Sequence, residues 1–320
     1  MRNPLKFRAI LGPITLFLFP WSSCTKGFAQ ALVQPGPKVD CGSSYRISAW
    51  NNPLFSDRLV DVWLPSGYPN AAPYPVVYMH DGQMLFDAEQ TWNRQSWNID
   101  SILCASQAVG KSPIPIVVGI WNNPNTRHAD YLPEKPFYAL SSTEQQHVST
   151  ELQQHGRSNG PFKPNSDAYL AFLMHQIRPE IESRFKVSRA AEQNVLAGSS
   201  MGGLISWYGM CEYPNNWGGI GSISTHWPGI FSLENNPLPL AFERYLQAHL
   251  PKVLNKKWYL DSGTETLDSM YNELNINFIE IIKRKIPYEK LYWNITQGAD
   301  HSEKSWSQRV PDFIHFQFWE

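Results

Sequence analysis

The stretch that most constrains this chain is Gly198-Ser199-Ser200-Met201-Gly202, placed directly after the apolar run Val195-Leu196-Ala197. Residues 194–197 read as the end of a buried strand, and residues 204–211 are apolar and helix-compatible up to Tyr213-Pro214. A strand that becomes a helix within so few residues brings main-chain atoms too close for side chains, so glycine belongs at 198 and 202. Such a turn lifts the Ser200 hydroxyl clear of the backbone. Gly-x-Ser-x-Gly alone arises by chance in about one chain in ten of this length, so the pattern takes its weight from the strand before it and the helix after it. A serine presented this way is a candidate nucleophile for acyl transfer or ester cleavage.

The remaining elements fit around that turn. Residues 45–50 and 58–64 alternate apolar and polar positions and read as antiparallel, half-exposed strands. Residues 75–79 and 115–120 are continuous apolar runs, the pattern of strands covered on both faces. Further strands are expected at 218–223, 257–261 and 291–296, and helices at 169–185, 274–286 and 305–318, with Pro179 kinking or dividing the first. Residues 34–37 form a Pro/Gly-rich lead. Residues 127–163 are polar and irregular, and their length suggests an excursion over the functional site. Strands alternating with helices after an antiparallel start predict an α/β fold. Its central sheet should be mostly parallel, with helices on both faces and a single domain over residues 32–320.

Residues 1–31 read as an export leader rather than as fold. Arg2, Lys6 and Arg8 supply a positive start, residues 9–21 a short Pro-broken apolar core, and Ala29-Gln30-Ala31 a cleavage site. A periplasmic or extracellular protein is the expectation, with lipid attachment at Cys24 a minor option, and no later stretch reads as a membrane span. Loss of the leader leaves Cys41, Cys104 and Cys211, an odd number. Cys41 and Cys104 are candidates for a disulfide in an oxidising compartment, and Cys211 reads as a buried small hydrophobe. None has metal-ligand spacing. A net charge of −1 over 320 residues argues against a nucleic-acid surface.

A serine hydroxyl needs a base within hydrogen-bond reach and an orienting group behind that base. Among nine histidines, His301 is favoured, in the loop Gly298-Ala299-Asp300-His301 after the last expected strand. In a parallel sheet that loop lies on the same edge as the Ser200 turn. The segment after the strand at 257–261 offers Asp261, Glu265 and Asp268 as the orienting acid. Asp261 still belongs to the strand end, and Asp268 is preferred over Glu265. Either loop carboxylate could equally cap a helix. An oxyanion would be held by the Met201 N–H and by a second donor, Gly82 or Gln83, in the loop His80-Asp81-Gly82-Gln83. His128 and His226 could contact substrate, and Trp92, Trp97, Trp121 and Trp227 could wall a pocket for a sugar or aromatic group.

With these parts in place, the chain resembles the esterase branch of the α/β-hydrolases. That branch contains enterochelin esterases, feruloyl and acetyl-xylan esterases of carbohydrate esterase family 1, and mycolyltransferase-like proteins. The resemblance runs from about Tyr45 to the C-terminus. It is carried by residues 78–83, by Val118-Gly119-Ile120 with Asn122 and Arg127, by residues 197–203, by Asp261-Ser262-Gly263-Thr264 and by residues 298–301. It implies an α/β-hydrolase fold, Ser200 as nucleophile, His301 as base, no metal or organic cofactor, and a small-molecule or oligosaccharide ester as substrate. Many relatives carry the acid three residues beyond the glycine of the relevant loop. Here Thr266 occupies that position, so the acid must shift to Asp268 or Glu265.

Overall fold

The computed structural model describes residues 31–320. The leader reading and Cys24 lie outside the described residues. Among the described residues no helix is long and apolar enough to cross a membrane.

Nine strands form one sheet: β1 (Leu32–Pro35), β2 (Ser43–Ser48), β3 (Val60–Leu64), β4 (Val76–His80), β5 (Ile116–Ile120), β6 (Asn194–Ser199), β7 (Gly219–Ile223), β8 (Lys257–Ser262) and β9 (Leu291–Ile295). Their spatial order is β1-β2-β3-β5-β4-β6-β7-β8-β9. The β1/β2, β2/β3 and β3/β5 pairs are antiparallel. From β5 through β9 all pairs are parallel. The mostly parallel sheet with an antiparallel start is therefore present. Its first strand was not expected: Pro35 and Gly36 make the segment read as a lead, but an edge strand tolerates proline because one row of its backbone groups has no ladder partner.

The chain crosses between strands through α1 (Ile99–Ala108), α2 (Arg127–Tyr131), α3 (Glu134–Tyr138), α4 (Ser142–Gln154), α5 (Ser166–Phe172), α6 (Arg178–Arg184), α7 (Met201–Glu212), α8 (Leu238–His249), α9 (Leu267–Met270), α10 (Asn272–Lys283), α11 (Glu303–Ser307) and α12 (Val310–Phe318). The expected irregular excursion at 127–163 is corrected by α2, α3 and α4. Ser141 and Glu144 form a reciprocal capping box that starts α4. Its buried residues Val148 and Leu152 sit four apart, and the polar remainder of the helix masks that stripe. Between α5 and α6 a π-helical turn, Leu173–Ile177, absorbs the change before Pro179.

Strand alternation sorts the side chains into two cores. Val76 and Tyr78 of β4 face one side with α5, α7, α8 and α10, and Val77 and Met79 face the other with α1 and α12. Cys41 is disulfide-bonded to Cys104 of α1, while Cys211 is free and buried in α7.

The β6–α7 turn shows why glycine is needed. A Cβ on Gly198 would lie 2.9 Å from the carbonyl carbon of Gly202, so the two backbones could not approach. Ser200 itself sits at φ 57°, ψ −122°, strain on the order of 1–3 kcal/mol that surrounding structure must hold in place. Its N–H donates to the Ile223 carbonyl at 2.9 Å, and its own carbonyl accepts from Gly203, Leu204 and His226 at 3.0, 3.2 and 3.2 Å.

Candidate active site

The carboxyl edge of the parallel strands opens into a cavity of about 540 Å³. Ser200, Met201, Gln83 and His301 all line it. Asp268 lies behind His301, fully buried, where α9 follows β8. The His301 ring meets Asp268 Oδ1 through Nδ1 at 2.6 Å. This contact puts the proton on Nδ1 and leaves Nε2 as the basic nitrogen. No hydrogen bond joins the Ser200 hydroxyl to His301 among the described residues, and such contacts are often long before substrate binds.

Asp268 is held by more than its histidine. Its Oδ2 accepts from the Gly263 N–H at 2.6 Å and from Ser224 Oγ at 2.7 Å, and Tyr271 reaches Oδ1 at 3.3 Å. Burial opposes ionisation of this carboxyl, but the bonds from His301, Ser224 and Gly263 outweigh it and hold it below its usual range. Glu265 is exposed and makes no hydrogen bond or ion pair with His301 among the described residues. Thr266 accepts the His301 N–H through its hydroxyl at 2.9 Å.

The loop after β4 separates the two proposed oxyanion donors. Gly82 packs on β5, where a Cβ would sit 2.3 Å from the Gly119 carbonyl carbon, and it is not among the residues lining the main cavity. Gln83 lines the cavity, and its N–H, like that of Met201, has no acceptor among the described residues. A lock fixes this loop. Asp81, at φ 58°, accepts from Arg127 Nε at 2.8 Å, Arg127 Nη2 at 2.7 Å and Asn122 Nδ2 at 2.6 Å. The Asn122 N–H in turn donates to Gln83 Oε1 at 3.1 Å. Donors fixed in advance need no reorganisation as charge develops, which is what oxyanion stabilisation requires.

The lock has a pH signature. Burial would raise the Asp81 carboxyl, but Arg127 and Asn122 more than offset that and hold it below its ordinary value. The unfolded chain therefore binds protons first on acidification, so the Asp81 and Asp268 contributions are complete above about pH 5 and fall away as pH drops through the lowered folded values. Urea unfolding between pH 7 and pH 3 should show wild-type stability declining in that window, with a shallower decline for Arg127→Gln. Parallel curves would show that the Asp81–Arg127 pair contributes nothing to the linkage.

Residues 52–314 match the family described as "Putative esterase". The chain belongs to this esterase family. It is 28% identical over 173 residues to the uncharacterized protein YbbA of Bacillus subtilis (strain 168), spanning 53% of this chain and 58% of that relative's length. In fold the esterase chain is similar to a ferulic acid esterase (TM-score 0.62, 16% identity), with 87% of this chain and 98% of that one superposed. It is also similar to the enterobactin esterase FES from Shigella flexneri (TM-score 0.57, 16% identity, 89% and 62%) and to the BES protein from Bacillus cereus (TM-score 0.62, 16% identity, 90% and 98%).

Two of the four expected tryptophan walls of this esterase are elsewhere. Trp92 and Trp97 line the cavity. Trp121 instead donates to Asp61 and lies under Arg46, outside the main cavity. Trp227 is buried against Phe278, ring centroids 3.8 Å apart, because it follows a turn into the core rather than the rim. Trp306 replaces them, packing edge-on against the His301 ring at 5.0 Å. Neither Trp306 nor the Ser224 contact to Asp268 carries a sequence signal, since each arises from segments brought together only by the fold, whereas the Tyr271 contact spans three residues.

Proposed function

We propose that this chain is an exported serine carboxylic-ester hydrolase in which Ser200, His301 and Asp268 form the catalytic triad. The observation that carries the reading is the contact from buried Asp268 to His301, whose ring lines the same cavity as the strained serine turn. His301 Nε2 takes the Ser200 proton as Oγ attacks the ester carbonyl carbon. The carbonyl electron pair moves to oxygen, where the N–H groups of Met201 and Gln83 receive it. The alcohol departs with the proton returned by His301, leaving an acyl-serine. Water, deprotonated by His301, then attacks that acyl group, and the acid leaves as His301 returns the proton to Ser200 Oγ. The leader expectation and the Cys41–Cys104 disulfide support export, since disulfides persist in oxidising compartments.

For substrate, we favour acetyl or feruloyl esters of polysaccharide. Trp92 is 84% exposed at the cavity edge, and a flat apolar ring in that place suits stacking on a sugar or an aromatic acyl group. A catecholate siderophore ester is the second reading. It is favoured by Arg157, whose guanidinium lies over the Phe231 ring at the cavity wall and is available to an anionic group. A panel of acetyl-xylan, feruloyl sugars and a catecholate siderophore separates the two. Release of acetate or ferulate at rates at least tenfold above the siderophore supports the first. The reverse order supports the second, and an inert protein that still binds one of them would be a non-catalytic capture module.

A further inference from the structure

Ser224 stands where the backbone resists a side chain. It follows β7 at φ 41°, in the left-handed region, and it is fully buried. Glycine takes that conformation at no steric cost, whereas serine holds it only because surrounding structure compensates. The Ser224 N–H donates to the Asp261 carbonyl at 2.8 Å, a bond that any residue here would make. What serine adds at this position is its hydroxyl.

That hydroxyl sits between two groups of opposite charge. Its oxygen lies 2.9 Å from Arg309 Nη2 and 2.7 Å from Asp268 Oδ2. A guanidinium only donates, so Ser224 Oγ accepts from Arg309 and gives its single proton to Asp268. Arg309 precedes α12 and is itself buried. Its Nε lies 3.0 Å from Asp261 Oδ2 as an ion pair without hydrogen-bond alignment. Among the described residues, the one hydrogen bond its guanidinium donates goes to Ser224. We propose that Ser224, with its hydroxyl direction fixed by Arg309, is a positioning residue that keeps the Asp268 carboxylate an acceptor toward His301. This rests on the reading of Ser200, His301 and Asp268 as a triad.

Every group bonded to the Asp268 carboxylate then faces it as a donor. Oδ2 receives the Ser224 hydroxyl and the Gly263 N–H, and Oδ1 receives His301 Nδ1 and the Tyr271 hydroxyl. A proton on either oxygen would be set against a donor. The other charged groups close by are Asp300, which Asp268 repels, and Asp261, whose carboxyl burial pushes up while Arg309 opposes the rise. Arg309 is the cation set against Asp261 and, through Ser224, against Asp268. An ionised Asp268 holds the proton on His301 Nδ1 and leaves Nε2 free for Ser200. Ser224 does not line the cavity, so it acts through Asp268 rather than on substrate.

Ser224→Ala and Ser224→Gly both delete the hydroxyl, and the second also relieves the φ of 41°, so it should fold at least as readily as wild type. Selective ¹³C labelling of aspartate carboxyl carbons follows protonation without turnover, with the Asp268 resonance assigned by its loss in Asp268→Asn. The Asp268 midpoint should rise by about half to one pH unit in both variants. The acid limb of kcat for p-nitrophenyl acetate should move to higher pH by a similar amount, with KM within about threefold of wild type. Arg309→Met combined with Asp261→Asn removes two opposite charges together. That pair should also raise the midpoint when Ser224 is present, and should add less than about 0.3 pH unit in Ser224→Gly. A Ser224 that only fills space would leave midpoint and limb unmoved whatever happens to melting temperature or maximal rate, and that result overturns the proposal. A charge-pair effect undiminished in Ser224→Gly would overturn the part given to Arg309. Wild type inert toward every ester, with the midpoint still rising in the variants, would count against the catalytic reading and not against this one.

Discussion

Ser200→Ala is expected to lower kcat/KM for p-nitrophenyl acetate by about 10⁵–10⁶-fold, the scale at which loss of a serine nucleophile removes the function of the whole triad. It should do so with little change in thermal stability. The contacts that hold the turn are made by main-chain atoms: the Ser200 N–H to Ile223, and its carbonyl to Gly203, Leu204 and His226. Alanine keeps all of them and has a Cβ like serine, so the φ of 57° costs the variant about what it costs the wild type. Activity and melting temperature measured on the same preparation give the check. A large loss of both would mean that the hydroxyl is structural, and retained activity would remove Ser200 from the mechanism.

Asp268→Asn is the second large effect. The carboxylate accepts from His301 Nδ1, Gly263 and Ser224. An amide there presents an NH₂ group that favours the wrong imidazole tautomer, with the proton on Nε2, where it cannot accept from Ser200. A loss of about 10⁴-fold in kcat is expected on that ground. Stability should fall as well, because Asp268 is fully buried and the amide sets a donor against existing donors. Activity is therefore read at a temperature where the far-UV signal shows the variant folded. Glu265→Gln should stay within about twofold, since that side chain is exposed and makes no hydrogen bond or ion pair with His301. Severe damage from Glu265→Gln with a mild Asp268→Asn phenotype would reverse the assignment of the acid.

The parts legible in the sequence are those where local pattern and global position agree. β4, β5 and the first part of β6 are buried on both faces, so each leaves an apolar run that needs no tertiary knowledge to detect. The Gly198–Gly202 spacing reports its own backbone crowding. β1 was hidden because its pairing with β2 lies at a sheet edge, where burial imposes no pattern. α4 was hidden because only Val148, Ser149 and Leu152 are buried, too narrow a stripe to outweigh the polar residues around it. Within the site, Asp268 and His301 could be proposed from loop position, but their shared donors could not. Ser224 lies 44 residues from Asp268, and Arg127 lies 46 from Asp81. Pairings at such separations come from sheet order and leave no local trace. Trp227 shows the converse: an aromatic beside a strand end looks the same in sequence whether it turns to the rim or, as here, into the core.

Labelling with a fluorophosphonate probe, followed by peptide mass mapping, tests most directly whether this cavity activates Ser200. One adduct is expected, on Ser200, absent from Ser200→Ala and slowed by at least about 10³-fold in His301→Ala, given the general-base contribution to nucleophile activation. An adduct on a different residue, or continued ester hydrolysis by a protein that takes up no label, would contradict it.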